Sequence, residues 1–373
     1  MNDLNRSTLL IGQRSTPNRG TGIGLTALRP GSEADTSPWQ VSHQQPAVNP
    51  GSQVLHPDGT RLYVAHGDTS QVSTYRVSND PEHPIELLST QDTGGTNPAH
   101  LCLTPSLDAV IVANHTSGSL AALPLDQHGE ISPISQLLTL EGTPGPHQSD
   151  QPGPKPHQVA FTPDGAWLAV PDKGLDAVHF CIFDAEQQRI SVDHSVKLRE
   201  ISGPRHIAFH PHRALGYVVN ELDNTVVTLD LTALPGGRAR AVQILPTPPA
   251  TDVRDTRAAE ILVHPHGERV YVSNRSGAGD STPGGPDPDW IAVFTIGTDG
   301  TLTLEQHLSS EGIRPRFMCF SPDASSLLVA NERSGTIVRI PLSPQGVAQP
   351  GRVMAEVASP VHILDINSPA FRS

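Results

Sequence analysis

Six segments of this chain keep the same internal spacing. They read NPGSQVLHPDGTRLYVAHG, NPAHLCLTPSLDAVIVANH, KPHQVAFTPDGAWLAVPDK, GPRHIAFHPHRALGYVVNE, RAAEILVHPHGERVYVSNR and RPRFMCFSPDASSLLVANE. Each holds an anchor residue (Pro50, Pro98, Pro156, Pro204, Ala258, Pro315) and, seven positions later, a proline: Pro57, Pro105, Pro163, Pro211, Pro265, Pro322. Nine positions further on stands His66, Asn114, Asp172, Asn220, Asn274 or Asn331. The anchors lie 48, 58, 48, 54 and 57 residues apart, a period that belongs to solenoids and propellers. Gly 32 and Pro 36, spread along the whole chain, exclude long helices, while 36% hydrophobic residues suffice for a core.

Within each unit an apolar run leads to a Pro-Asp-Gly-like turn and a second β-rich run. A third follows, such as TVVTLDL, IAVFTI or TIVRIPL, then a weaker fourth such as LTLEQHL or ISVDHSV. Four short strands joined by tight turns make a propeller blade. The WD and GH signatures of WD40 repeats are absent. Near the C-terminus SPVHILDI has an anchor, Pro360, and one strand; near the N-terminus TLLIGQRS, GIGLTAL and WQVSHQQ read as second, third and fourth strands. The expected fold is therefore all-β: one seven-bladed β-propeller over residues 1–373, with four-stranded antiparallel blades. The N- and C-terminal strands share the closing blade, from 7–47 plus 359–367, and so remove two open sheet edges.

In an antiparallel blade the start of the first strand and the end of the second share a rim. The residues after the anchors are Gly51, Ala99, His157, Arg205, Ala259, Arg316 and Val361; those just past the second strands are Gly67, His115, Lys173, Glu221, Arg275 and Glu332. Beside them stand His100, His206 and Glu260. All are expected at one mouth of a central channel. The long connections EGTPGPHQSDQPGPK, TPPATDVRDTR and SGAGDSTPGGPDPDW fall on that face, as the rim of a substrate pocket would. Any one such charge is ordinarily solvated surface; it is their convergence from separate blades that favours a functional mouth. The Asn/Asp series reads either as a repeated turn device or as amide oxygens for calcium, and Lys173 and Arg275 oppose the ion. The turn histidines His56, His210, His212, His264 and His266 are expected at the opposite rim, exposed to solvent.

The formal charge of −13 disfavours nucleic acid but permits a small anion, since a local arginine cluster outweighs the global field within about 8–10 Å. Cys102, Cys181 and Cys319 lack CxxC spacing and read as apolar fillers in a reducing compartment. The N-terminal stretch has only a four-residue apolar run, short for a signal sequence or a membrane span, so a cytoplasmic protein without membrane contact is expected. GTGIG, residues 20–24, has no helix or βαβ unit behind it for a dinucleotide site. No GxSxG elbow supports a nucleophilic serine.

The stretches GPRHIAFHP with YVVNEL, DTRAAEILVHPHGERVYVSNR, KPHQVAFTPDGAWLAVPDKGLDAV and RPRF resemble the seven-bladed propeller lactonases. That family includes 6-phosphogluconolactonases of the cycloisomerase-2 type and the fungal carboxy-muconate cyclase. The similarity runs from about residue 48 to the C-terminus and is strongest between about residues 155 and 340. It implies a metal-independent, cofactor-free site for a small anionic lactone or sugar acid, with His157, Arg205, Glu221 and Arg275 as catalytic residues. Arg316, His206, Lys173, His100, Asn220 and Asn274 are expected to contact substrate. Glu221 or His157 would be the general base, and Arg205 and Arg275 would meet the oxyanion or grip a phosphate or carboxylate. A lactonising cycloisomerase and a non-catalytic binding propeller are the alternatives; a monomer or weak homodimer is expected. The link RSGAGDSTPGGPDPDWIAVF is longer than the gluconolactonase branch usually has.

Overall fold

A computed structural model describes residues 7–31, 39–78, 80, 82–234, 236–278 and 285–367. It forms seven four-stranded antiparallel sheets arranged as a propeller, with no helix among the described residues. Blade 4 shows the plan. Its inner strand Pro204–Phe209 is followed outward by Leu215–Asn220, Thr225–Asp230 and Arg240–Pro246. In the closing blade the inner strand is Pro360–Asp365, and Leu9–Gln13, Gly24–Arg29 and Gln40–Pro46 follow outward, so the chain's two ends meet by hydrogen bonding as expected.

Burial explains which strands the sequence marks most clearly. The second strands, such as Ala109–Asn114, Leu215–Asn220 and Ser326–Asn331, are buried along their whole length between neighbouring blades. They are accordingly near-continuous apolar runs. The outermost strands face water on one side and alternate, as in Arg240–Pro246 and Arg189–Lys197. Each gap between blades holds its own apolar cluster; Val218, Val227 and Leu229 of blade 4 pack against Ala169, Val178 and Phe180 of blade 3. Cys102, Cys181 and Cys319 are buried free thiols in such surroundings.

The turn between first and second strands recurs with interchangeable chemistry. The hydroxyls of Thr162 and Ser321 accept backbone N–H bonds from Trp167 and Ser326 across it. In blades 4 and 5 the ring Nδ1 atoms of His210 and His264 accept from His212 and His266 instead. The expectation of exposed turn histidines is thus corrected for His210 and His264, which are buried. The His210 ring also donates from Nε2 to the carbonyl of Gly267 in the next blade, 3.1 Å away. Gly267 has a φ of +75°, and an added Cβ would meet the His210 ring at 2.6 Å. Only glycine fits there.

A second tie between blades uses tyrosine. Tyr63, Tyr217 and Tyr271 each occupy the third position of a second strand and are buried. Their hydroxyls donate to the carbonyls of Gly129, Gly300 and Gly346 in the following blade.

Candidate active site

Each inner strand carries one extra residue just after its anchor. In blade 4 Pro204 pairs with Asn220 and His206 with Val219, which leaves Arg205 without a partner in the ladder. The same shift sets apart Gly51, Ala99, Arg316 and Val361 in their blades. In blade 3 residues 157–159 oppose only 170 and 171. There the inner strand is reduced to Ala160–Phe161, because Pro171 has no N–H to give the ladder. A bulge re-aims its side chain out of the regular pleat. Glu221, Arg275 and Glu332 sit at or just past the ends of second strands, at the same rim.

Glu221 is the hub. One carboxylate oxygen lies 3.0 Å from Lys173 Nζ. The other lies 3.1 Å from Arg205 Nε, off the axis of a hydrogen bond, and 3.4 Å from Arg275 Nη2. Burial acts to raise its pKa, but Lys173, Arg275 and Arg205 together outweigh burial and hold the carboxyl well below its usual range. The arginines are anchored from behind: Arg205 donates to the carbonyl of Ala259 at 2.7 Å, and Arg275 to those of Ala258 and Arg257 at 3.2 and 3.3 Å. Arg205 is only 3% exposed, and burial, then Arg275 and Arg316, lower its pKa to about 9, so it remains charged at neutral pH.

Beneath these charges lies a layer of neutral rings. The His157 ring is 5.1 Å from those of both His115 and His206, and His100 is 5.8 Å from His206. Arg205 Nη1 donates to His206 Nε2 at 3.2 Å; a guanidinium only donates, so the His206 proton sits on Nδ1, 2.7 Å from Glu260 Oε1. Burial and the Arg205 charge keep His157 and His206 well below the ordinary histidine pKa. His157 Nδ1 has no hydrogen-bond partner among the described residues. Burial lifts Glu260 to about 7 despite Arg205.

The structure therefore brings His157, Arg205, Glu221 and Arg275 together, with Lys173 and His206 in direct contact and His100 one ring further in. Arg316 also stands at this mouth, 3.9 Å from Glu332. Asn220 and Asn274 do not suit the substrate contact expected of them. Both are buried: Asn220 donates to Thr225 at 2.9 Å within its own blade, and Asn274 accepts from the hydroxyl of Thr247 at 2.6 Å, which ties in the connection arriving from the preceding blade. Asn114 and Asn331 do likewise with Thr93 and Ser310. No group of three or more His, Cys, Asp or Glu side chains among the described residues is arranged to hold a metal ion.

Spacing missed three contributors. Asp150, from the connection ahead of blade 3, lies 3.0 Å from Lys173 Nζ, and Arg257, in the inner strand Thr256–Val263 of blade 5, lies 3.6 Å from Asp150. The loop that carries Asp150 does not obey the repeat, and Arg257 precedes its anchor where the other mouth residues follow theirs. Arg14 is the closing blade's counterpart of Glu221, since Gln13 pairs with Pro360 as Asn220 pairs with Pro204. Registering the split blade would have found it. The third long connection falls partly outside the described residues.

Comparison with known proteins identifies the family. A family model described as "Lactonase, 7-bladed beta-propeller" matches residues 8–363. The chain is 28% identical to a 6-phosphogluconolactonase of Bacillus subtilis, over 92% of this chain and 97% of that one. It is 29% identical to a 6-phosphogluconolactonase of Formosa agariphila, over 88% and 91%. The solved structure of the periplasmic gluconolactonase of Pseudomonas aeruginosa is 25% identical, with a TM-score of 0.82 over 96% of this chain and 98% of that one. The chain belongs to the seven-bladed β-propeller lactonase family.

Proposed function

We propose that this protein hydrolyses a sugar-acid lactone, 6-phosphogluconolactone, to the open acid without a metal ion. The observation that carries the reading is a carboxylate clamped by three cations beside a neutral histidine whose Nδ1 is unengaged. Its relatives named 6-phosphogluconolactonase support the choice of substrate.

The chemistry divides among these groups. Water attacks the lactone carbonyl carbon and gives its proton to His157. Glu221, paired with Lys173, Arg205 and Arg275, has the part of holding the two guanidiniums in place. Negative charge gathers on the carbonyl oxygen, where Arg205 and Arg275 stand with their positions already fixed. Collapse breaks the bond to the ring oxygen, and the His157 imidazolium, a strong acid in this setting, returns the proton to that leaving alkoxide.

The test is hydrolysis of 6-phosphogluconolactone, followed by acid release, for the wild type and Arg205→Ala. Loss of one preorganised oxyanion contact costs about 2.7–4 kcal/mol in the barrier, so turnover should fall about a hundredfold or more. A folded, fully active Arg205→Ala protein rejects the assignment.

A further inference from the structure

The arginines of the mouth fall into two groups. Arg205 and Arg275 are tied to backbone carbonyls and to Glu221, as described above. Arg316 occupies in blade 6 the bulge position that Arg205 occupies in blade 4. Yet its guanidinium forms no hydrogen bond to any described residue. Its one ion pair among the described residues is the loose 3.9 Å contact with Glu332, and its side chain is 21% exposed at the basin. Glu332 is already engaged at 3.1 Å by Arg14 Nε. Arg14 approaches one other carboxylate, Asp68, at 3.8 Å, and Asp68 is held more closely by Arg19 at 3.4 Å. One carboxylate thus lies between two guanidiniums, and this half of the mouth has a surplus positive charge in a chain of net charge −13.

The neighbouring positions leave room. Going round the ring from Arg316, the bulge residues are Val361, Gly51 and Ala99, and Gly67 ends the second strand of blade 1. Small side chains therefore stand between the Arg14–Arg316 side and the His115–His157 rings.

We infer that Arg316 and Arg14 form a seat for the substrate's distal phosphate, separate from the reaction centre, and that this seat sets preference for phosphorylated over unphosphorylated sugar lactones. An arginine with unengaged N–H groups, as Arg316 is, suits bidentate contact with a phosphomonoester, and the second guanidinium of Arg14 beside it suits a dianion better than a neutral hydroxymethyl group. A sugar lactone phosphorylated at the carbon furthest from its carbonyl would span the basin, with the carbonyl at Arg205 and Arg275 and the phosphate at Arg316. This assignment rests on the lactonase reading of the preceding section.

The experiment compares kcat/KM for 6-phosphogluconolactone and glucono-δ-lactone in wild type, Arg316→Ala, Arg316→Lys and Arg14→Ala. The ratio of the two constants should fall at least tenfold in Arg316→Ala, chiefly through KM for the phosphorylated lactone, and be partly kept in Arg316→Lys. A purely structural role would lower both constants and leave the ratio alone; a ratio within twofold of wild type overturns the seat. Should Arg14→Ala not fold, the two Arg316 variants decide. Calorimetric titration with 6-phosphogluconate and gluconate separates the two ideas. Wild type binding the phosphorylated acid, with at least tenfold loss in Arg316→Ala, upholds the seat even if neither lactone is hydrolysed, an outcome that rejects the lactonase reading alone. Equal affinity of the two proteins for 6-phosphogluconate overturns the seat.

Discussion

His100 and His362 show what the interior of the channel does to a side chain. Burial, and then the nearby His206 for the one and His100 for the other, lower both to about 3 from an ordinary 6.5. In the unfolded chain they take up protons as pH falls below about 6.5, whereas the folded protein cannot. Their contribution to stability is complete above that pH and is lost as pH falls toward 3. Glu260 has the opposite sign. Its folded pKa of about 7 exceeds the ordinary 4.5, so its contribution is complete below pH 4.5 and is lost as pH rises through 7. Urea midpoints of the wild type should therefore fall between pH 6.5 and 4. The stability of Glu260→Gln relative to wild type should improve from pH 4.5 to 7, by an amount on the order of 3 kcal/mol. A wild-type midpoint that is flat across the acid range would mean that these histidines are not held neutral. Sequence placed His100 and His206 near the mouth because they follow anchors; their protonation depends on neighbours contributed by four different blades and could not be read there.

Elements were legible in proportion to their burial. Second strands stood out because both faces are covered, and every position must then be apolar; outer strands such as Gln40–Pro46, exposed on one side, gave a weaker pattern. The bulge after each anchor was not foreseen, although the anchor itself was, because a ladder shift has no composition of its own. The buried turn histidines escaped for a related reason: the glycine that receives His210 lies 57 residues away in the next blade. Tyr217 offers a test at this scale. Its hydroxyl is the sole difference from phenylalanine, and Tyr217→Phe leaves the Gly300 carbonyl unpaired in a buried setting. Denaturant unfolding should show a loss of about 1–3 kcal/mol with turnover unaffected per folded molecule. An unchanged midpoint would show that the tie contributes nothing.

At the scale of the whole molecule, seven sheets are held in a ring by one pairing of distant segments. Leu9–Gly12 face His362–Asp365 across the closing blade. Removing residues 360–373 would strip the inner edge from Leu9–Gln13 and uncover Leu10 and Ile11, which are now fully buried. Such a protein should elute as aggregate in gel filtration and melt well below the intact chain; a monodisperse product with the native melting temperature would refute the dependence on closure. The split blade was legible from the orphan anchor Pro360, but its register was not, and Arg14 was overlooked for that reason.

That seam also has a consequence for biosynthesis. Leu9–Gln13, which Arg14 follows, is synthesised before the six other blades and Pro360–Asp365 after them, so that strand stays unzipped along one side while those blades are translated. The nascent chain must shield that side until Pro360–Asp365 has been made. The corner formed by Arg14 and Arg316 is thus the final part of the basin to be assembled, and a product terminated before Pro360 would lack it even if its other blades had stacked.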